Sequence, residues 1–84
     1  MKWYVYVLYS VTTGRLYTGI STAPSRRLDE HNTGKKGAKA TRAGRPWKIV
    51  HVEEFCTKSQ ALKREYAVKS LKRAAKLVLV GLAA

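Results

Sequence analysis

Arg27 and His31, four positions apart, offer the chemistry of a phosphate site. Pro24 suits the first turn of a helix predicted to run to about Asn32, and residues at i and i+4 of a helix lie side by side. The Arg27 guanidinium is always cationic and can form two hydrogen bonds with one phosphate group. The His31 imidazole can donate to an anion or exchange a proton near neutral pH. A solvated basic helix face is the alternative interpretation.

Glu65 is the acidic residue whose position predicts a specific partner. Thr57 and Gln60 form a capping box that opens a helix predicted to run through Leu71. Helical spacing gives this helix an apolar stripe formed by Ala61, Leu62, Tyr66 and Val68. Glu65 lies near the middle of the stripe, and Lys69 lies beside it. Because an unpaired buried charge is costly, Glu65 should be paired or bound to a metal. Two partners of Glu65 remain open: Lys69, in an ion pair, and a divalent cation that also binds phosphate.

Two tyrosines can meet on one face of a hairpin predicted over residues 3–20. With a four-residue turn, Leu8 lies opposite Tyr17 and Tyr6 lies opposite Gly19. Tyr6 and Tyr17 are then diagonal neighbours within reach of each other, and Gly19 leaves a hollow beside the Tyr6 ring. Tyrosines also favour strands and pack well in them, so packing alone is the alternative interpretation.

The sequence pattern predicts six elements of secondary structure in the order ββαβαα. Beyond the hairpin and the two helices already described, residues 47–55 predict a third strand, and the tail from Arg73 predicts a short helix ending at Gly81. Cys56 is predicted to be a small buried residue. The fold class is therefore α+β, with a small three-stranded antiparallel sheet flanked by helices, in a single domain over residues 1–84.

Positive charge is the dominant feature of the composition: 17 Lys and Arg against 5 Asp and Glu, a net charge of +12. Residues 35–48 contain no acidic residue, and three of them are glycine or proline. Six of them are cations: Lys35, Lys36, Lys39, Arg42, Arg45 and Lys48. A basic loop of this kind offers cations and backbone N–H groups to phosphate oxygens. A solubilising loop is the alternative, but the charge makes nucleic acid the default partner.

The same composition excludes several classes of protein. One cysteine cannot form an internal disulfide, and the two histidines and Cys56 have no zinc-ligand spacing. No apolar run approaches the ~20 residues of a membrane span, and the first residues lack a signal peptide's apolar stretch. The prediction is a cytoplasmic protein that does not enter membranes, monomeric by default.

The ordered motifs resemble the GIY-YIG nuclease domain over essentially the whole chain. Residues 4–6 look like its first motif and residues 17–19 like its second, with Tyr4 and Thr18 where the family name has Gly and Ile. Residues 25–32 resemble the family's helix with Arg-x-x-x-His spacing. Residues 62–69 resemble the family's helix that carries a metal-ligating glutamate. The stretch Gly34–Arg42 is similar to the short stand-alone UPF0213-like members, which are predicted endonucleases.

The resemblance implies a divalent metal, Mg²⁺ or Mn²⁺, held by Glu65, and cleavage of a phosphodiester bond. It implies that Tyr6 activates the attacking water, that Tyr17 orients the nucleophile, and that Arg27 stabilises charge on the phosphate. His31 would support the tyrosines or the proton transfer. A free tyrosine has a pKa near 10, and nearby cations and a metal are expected to lower that pKa toward a useful range.

The resulting prediction is an endonuclease acting on DNA, in a nicked, branched, single-stranded or plain duplex form, in DNA repair or processing. Gly19 is the predicted structural residue of the second motif. Seven residues are predicted to contact the nucleic acid: Lys35, Lys36, Lys39, Thr41, Arg42, Arg45 and Lys69. The alternative is a basic nucleic-acid-binding module that keeps the fold but cleaves weakly or not at all.

Overall fold

A computed structural model describes residues 1–33 and 43–83. Its elements are β1 (Trp3–Ser10), β2 (Leu16–Ser21), α1 (Pro24–Thr33), β3 (Trp47–Phe55), α2 (Lys58–Lys69) and α3 (Arg73–Leu79). The strands form one antiparallel sheet in the order β2-β1-β3. The predicted α+β class and ββαβαα order are confirmed. Within the described residues, no helix has the length and apolar character needed to cross a membrane.

The hairpin has the register that the sequence predicts. Tyr6 pairs with Gly19 and Leu8 with Tyr17, and the Ser10 amide donates to the carbonyl of Arg15 at 2.9 Å. Gly14 closes the turn at φ 75°, a left-handed conformation that side chains disfavour. Because side chains alternate along a strand, this register fixes which residues of β1 and β2 share a face.

The central strand β1 is covered on both faces, which explains its unbroken apolar pattern. On one face, Tyr6, Leu8 and Trp47 form a buried cluster against which Leu28 of α1 packs. On the other face, Val7 packs with residues of the C-terminal helices: Val68, Leu79 and Val80. The sheet therefore separates α1 from α2 and α3.

The end of α1 is bonded to the start of β3. The Asn32 amide nitrogen donates to the carbonyl of Trp47 at 3.0 Å, and the Trp47 amide donates to the Asn32 side-chain oxygen at 2.7 Å. Nε of Arg45 donates to the carbonyl of His31 at 2.9 Å. These bonds fix the C-terminal turn of α1, which carries His31, against the sheet.

Helix α2 begins as predicted but buries a narrower stripe. The Thr57 hydroxyl accepts from the Gln60 amide at 3.2 Å, and the helix ends at Lys69 rather than Leu71. Ala61 and Val68 are buried, whereas two residues predicted for the stripe, Leu62 and Tyr66, are 43% and 75% exposed. That part of the prediction is wrong because a three-stranded sheet covers only residues close to the Ala61–Val68 line. Cys56, predicted to be buried, is exposed.

Candidate active site

Tyr6 and His31 form a buried hydrogen-bonded pair between β1 and α1. The Tyr6 hydroxyl lies 3.1 Å from Nε2 of His31, and the two residues are 1% and 0% exposed. Tyr17 of β2 adds a third ring, edge-on to the imidazole at a centroid distance of 5.0 Å. Residues from three separate segments, β1, β2 and α1, thus meet at one point.

Gly19 makes room for the Tyr6 side chain. A Cβ atom at Gly19 would lie 2.6 Å from the Tyr6 hydroxyl oxygen and 2.8 Å from Cζ. The phenol therefore extends across the backbone of β2 at the one position without a side chain. This is the hollow predicted from the pairing register, and the ring itself fills it.

Arg27 lies at the edge of the buried pair. Its guanidinium stands beside the Tyr6 phenol, where it favours the ionised form, and it donates to the Glu30 carboxylate at 2.6 Å. The Arg27 side chain is 24% exposed. Glu30, one turn later on the same helix, is a site-lining residue that the sequence analysis did not select, although its i, i+3 spacing from Arg27 was a visible signal.

Burial dominates the protonation of both buried groups. It raises the pKa of Tyr6, and the electrostatic effects of Tyr17 and Glu65 act in the same direction, against the lowering effect of Arg27. Burial also lowers the pKa of His31, with a further contribution from the Arg27 charge. The nearby cation acts as expected, because Arg27 lowers the pKa of Tyr6, but desolvation outweighs this effect and the pKa is raised. Both partners are neutral near pH 7.

Glu65 lies on α2, which packs on the sheet face opposite α1. Its side chain, 18% exposed, occupies the inward stripe of α2 and pairs with Lys69 at 3.3 Å. Its charge makes the smallest contribution to the raised pKa of Tyr6, and Val68, on the same helix, packs on the opposite face of the sheet. The ion pair predicted as one alternative is present.

The donor set around Glu65 suits one kind of metal ion. In the described residues, no three His, Cys, Asp or Glu side chains form a group that could hold a cation. A single carboxylate fits a magnesium-type site, which keeps several waters and takes phosphate oxygens as further ligands, and does not fit a cage of protein ligands. The residues present are thus compatible with Mg²⁺ or Mn²⁺ bound together with a phosphate.

The predicted nucleic-acid contacts are placed only in part. Lys69 is half-exposed beside Glu65, and Arg45 donates to the carbonyl of His31 through Nε. Five predicted residues lie outside the described part of the chain: Lys35, Lys36, Lys39, Thr41 and Arg42.

The sheet, the flanking helices and the side chains gathered around Tyr6 have the arrangement of a nuclease-type catalytic domain. Residues 2–77 match the family described as the GIY-YIG catalytic domain, and the chain belongs to this family. Its members act on nucleic acid.

Close relatives belong to the UPF0213 group. The chain is 46% identical over 78 residues to a UPF0213 protein of Desulfotalea psychrophila, covering 93% of this chain and 70% of that one. It is 51% identical over 77 residues to a UPF0213 protein of Natronomonas pharaonis, covering 92% and 88%. The solution NMR structure of a UPF0213 protein from Bacillus halodurans has a similar fold, with a TM-score of 0.60 at 43% identity, covering 98% and 85%.

Proposed function

We propose that this protein is a divalent-metal-dependent endonuclease that hydrolyses phosphodiester bonds in DNA. The observation that carries the proposal is the buried hydrogen bond between Tyr6 and His31, with Arg27 beside it. The DNA is nicked, branched, single-stranded or duplex. Its base sequence does not select the substrate, because these residues engage a phosphate and not the edge of a base. A role in DNA repair or processing and a cytoplasmic location belong to the same proposal.

Tyr6 and His31 would act together as the base. A buried, protonated phenol is a poor base by itself, since its raised pKa keeps it neutral at pH 7. Neutral His31, in the tautomer with its proton on Nδ1, can accept the phenol proton at Nε2 across 3.1 Å. As the attacking water gives a proton to the Tyr6 oxygen, the phenol proton would pass to His31, so phenolate need not accumulate.

Arg27 and Tyr17 would position and stabilise the phosphate. The Arg27 guanidinium remains cationic in its bond with Glu30, so it can stabilise charge that develops on phosphate oxygens. Tyr17, packed against the His31 ring, would orient the attacking water. Glu65 would hold the divalent cation, which when bound supplies Lewis-acid stabilisation of the same charge.

A weakly active binding module with the same fold is the second candidate. One observation favours it: both charged groups of the site already have partners, Arg27 with Glu30 and Glu65 with Lys69. Substrate and metal must compete with these ion pairs. Such pairs are modest in strength when partly exposed, about 1 kcal/mol or less, so competition is feasible.

Nicking of supercoiled, branched and single-stranded DNA in Mg²⁺ or Mn²⁺ tests the proposal. Tyr6→Phe, Arg27→Ala and Glu65→Gln should each reduce the cleavage rate by roughly 10²–10⁴-fold, the usual contribution of a catalytic acid–base or charge-stabilising group. DNA binding without metal should persist. Tyr66→Phe is the matched control, because that tyrosine is 75% exposed on α2 and should keep full activity. Steeply salt-dependent binding without cleavage of any DNA form would select the binding module instead.

A further inference from the structure

A cavity of about 180 Å³ lies at the turn end of the hairpin, apart from the candidate active site. Arg15 and Leu16 line it from the start of β2, and Arg73 and Lys76 line it from α3. Three of the four lining residues are cations. A concave space with this lining is suited to an anion.

Arg73 is held in place within this cavity. Its Nη2 donates to the carbonyl of Gly14 at 2.8 Å, which connects α3 to the turn of the hairpin. A guanidinium has five N–H donors in a fixed planar arrangement. One bond to a backbone carbonyl restricts the position of this exposed group and leaves donors for a phosphate oxygen.

Among residues 1–33 and 43–83, the cavity cations have no acidic partner. Within the described chain, no carboxylate forms an ion pair with Arg15, Arg73 or Lys76, whereas four of the five acids are paired with cations elsewhere: Glu30, Glu53, Glu54 and Glu65. Three like charges around one space repel each other, which costs the free protein stability. A bound anion would remove that cost.

The cavity is close to the proposed catalytic residues along the chain. Arg15 precedes Tyr17 by two residues, which is about 7 Å of strand, and α3 follows α2, the helix of Glu65, after three residues. One DNA strand carries a phosphate every ~3.4 Å of helix axis. Leu16 of the cavity packs on the face of the sheet that α2 and α3 cover, whereas Tyr17 packs on the Tyr6 face, so a DNA backbone that reaches both sites must pass the edge strand β2 and span several phosphates.

We propose that Arg15, Arg73 and Lys76 form a second binding site that takes a phosphate of the DNA backbone, away from the bond that is cut. The site rests on the proposed function only in that DNA is the ligand. It binds without reading base sequence, and it is distinct from the basic segment 35–48.

Fluorescence anisotropy of a labelled DNA duplex in EDTA, over a series of salt concentrations, tests the site without cleavage. The test variant is Arg15→Gln/Lys76→Gln, which keeps the Arg73 bond to Gly14. Its control is Lys58→Gln/Lys63→Gln, which removes the same charge from exposed positions of α2. Because the test variant lacks two cations that each neutralise a phosphate, its slope of log K against log salt should be shallower by about 1.8, at ~0.9 per phosphate. Its Kd near 0.1 M salt should rise tenfold or more.

The control should change Kd by less than threefold and leave the salt slope unchanged. Equal losses of affinity in the two double variants, or no loss in the cavity variant, would overturn the site. Circular dichroism melting confirms that both variants are folded. Because no metal is present, the outcome does not depend on catalysis: a protein that loses affinity only in the cavity variant yet never cuts DNA keeps this site and loses the proposed nuclease function.

Discussion

The pair formed by Tyr6 and His31 illustrates how burial can set the direction of proton movement. Desolvation raises the pKa of the phenol and lowers that of the imidazole, so the resting pair is neutral on both sides. Arg27 lowers the pKa of both groups: it opposes the rise at Tyr6 without reversing it, and it adds to the fall at His31. The proposed base would therefore depend on a neutral His31 more than on an ionised Tyr6.

The pH dependence of cleavage follows from this protonation state. The rate should fall as pH decreases through the folded-state pKa of His31, which lies below its ordinary value of 6.5, because protonated Nε2 can no longer accept the phenol proton. Above pH 7 the rate should level off. Single-turnover rates from pH 5 to 10 at saturating metal measure the profile. A log-linear increase that continues to pH 10 would instead identify Tyr6 phenolate as the base.

Gly19→Ala is predicted to impair catalysis by displacing Tyr6. The new Cβ would lie 2.6 Å from the hydroxyl oxygen, so the phenol must move away from Nε2 of His31. A reduction of about 10²-fold in cleavage rate is expected for a displacement of this size. Kd for DNA in EDTA should remain within twofold.

The double variant Gly19→Ala/Tyr6→Phe provides the control for this mechanism. If Gly19→Ala acts through the phenol, adding Tyr6→Phe should cost little more, since the two changes affect one group. Additive losses of rate would show that Gly19→Ala acts elsewhere.

The meeting of Tyr6, Tyr17 and Gly19 could be predicted because a hairpin register follows from turn length alone. The sign of the Tyr6 pKa shift could not. It depends on how completely α1 and the sheet enclose the ring, and a sequence does not specify that enclosure. Glu30 was missed for a related reason: its spacing from Arg27 was visible, but pairing needs the side-chain orientation.

At the scale of elements, Glu65 lies on the inward face of α2, and that face is only one residue wide per turn. Ala61 and Val68, on either side of Glu65 along the helix, are buried. The inward position of Glu65 could be predicted because Glu65 lies near the middle of both the wide apolar stripe that was predicted and the narrow stripe that is buried. The exposure of Leu62 and Tyr66 could not, because apolar character does not reveal how wide a surface the partner sheet offers.

Val68→Ala and Leu62→Ala should differ strongly in their effect on stability. Val68 is 1% exposed and packs on Val7, whereas Leu62 is 43% exposed. Removing two buried methyl groups should cost about 2 kcal/mol in the free energy of unfolding. Leu62→Ala should cost about 0.5 kcal/mol or less, as is usual at the surface. Urea denaturation measures both, and equal effects would mean that both residues lie in the core.

For the whole molecule, the predicted fold class and element order hold because they depend on periodicity and caps spread over the chain. The distribution of charge was less predictable. Composition indicates a basic segment at residues 35–48, most of which lie outside the described residues. Arg15 precedes Arg73 by 58 residues along the chain, and only the tertiary fold brings the hairpin and α3 together.

Stability should fall at acid pH in two ranges. The folded-state pKa of His31 lies below 6.5, so the unfolded chain binds more protons as pH falls through 6.5 and stability declines from there. The pKa of Glu53 is lowered from 4.5 by hydrogen bonds from Arg64 and His51, so its contribution is complete above pH 4.5 and is lost as pH falls further. Urea unfolding at pH 7.5, 5.5 and 3.5 measures both ranges.

His31→Gln and Glu53→Gln separate the two contributions. The first variant should flatten the change between pH 7.5 and 5.5, and the second should flatten the change below pH 4.5. A wild-type curve that is level between pH 7.5 and 5.5 would contradict the depressed pKa of His31.

The position of Tyr6 on the middle strand has a consequence for motion. β1 is paired along its length on both sides, with β2 and with β3. Its amides can exchange with solvent only when the sheet as a whole opens, so they report the global unfolding free energy rather than a local fluctuation. The proposed reaction would then run on the least mobile part of the protein, and the DNA, rather than the strand, would have to deform to reach it.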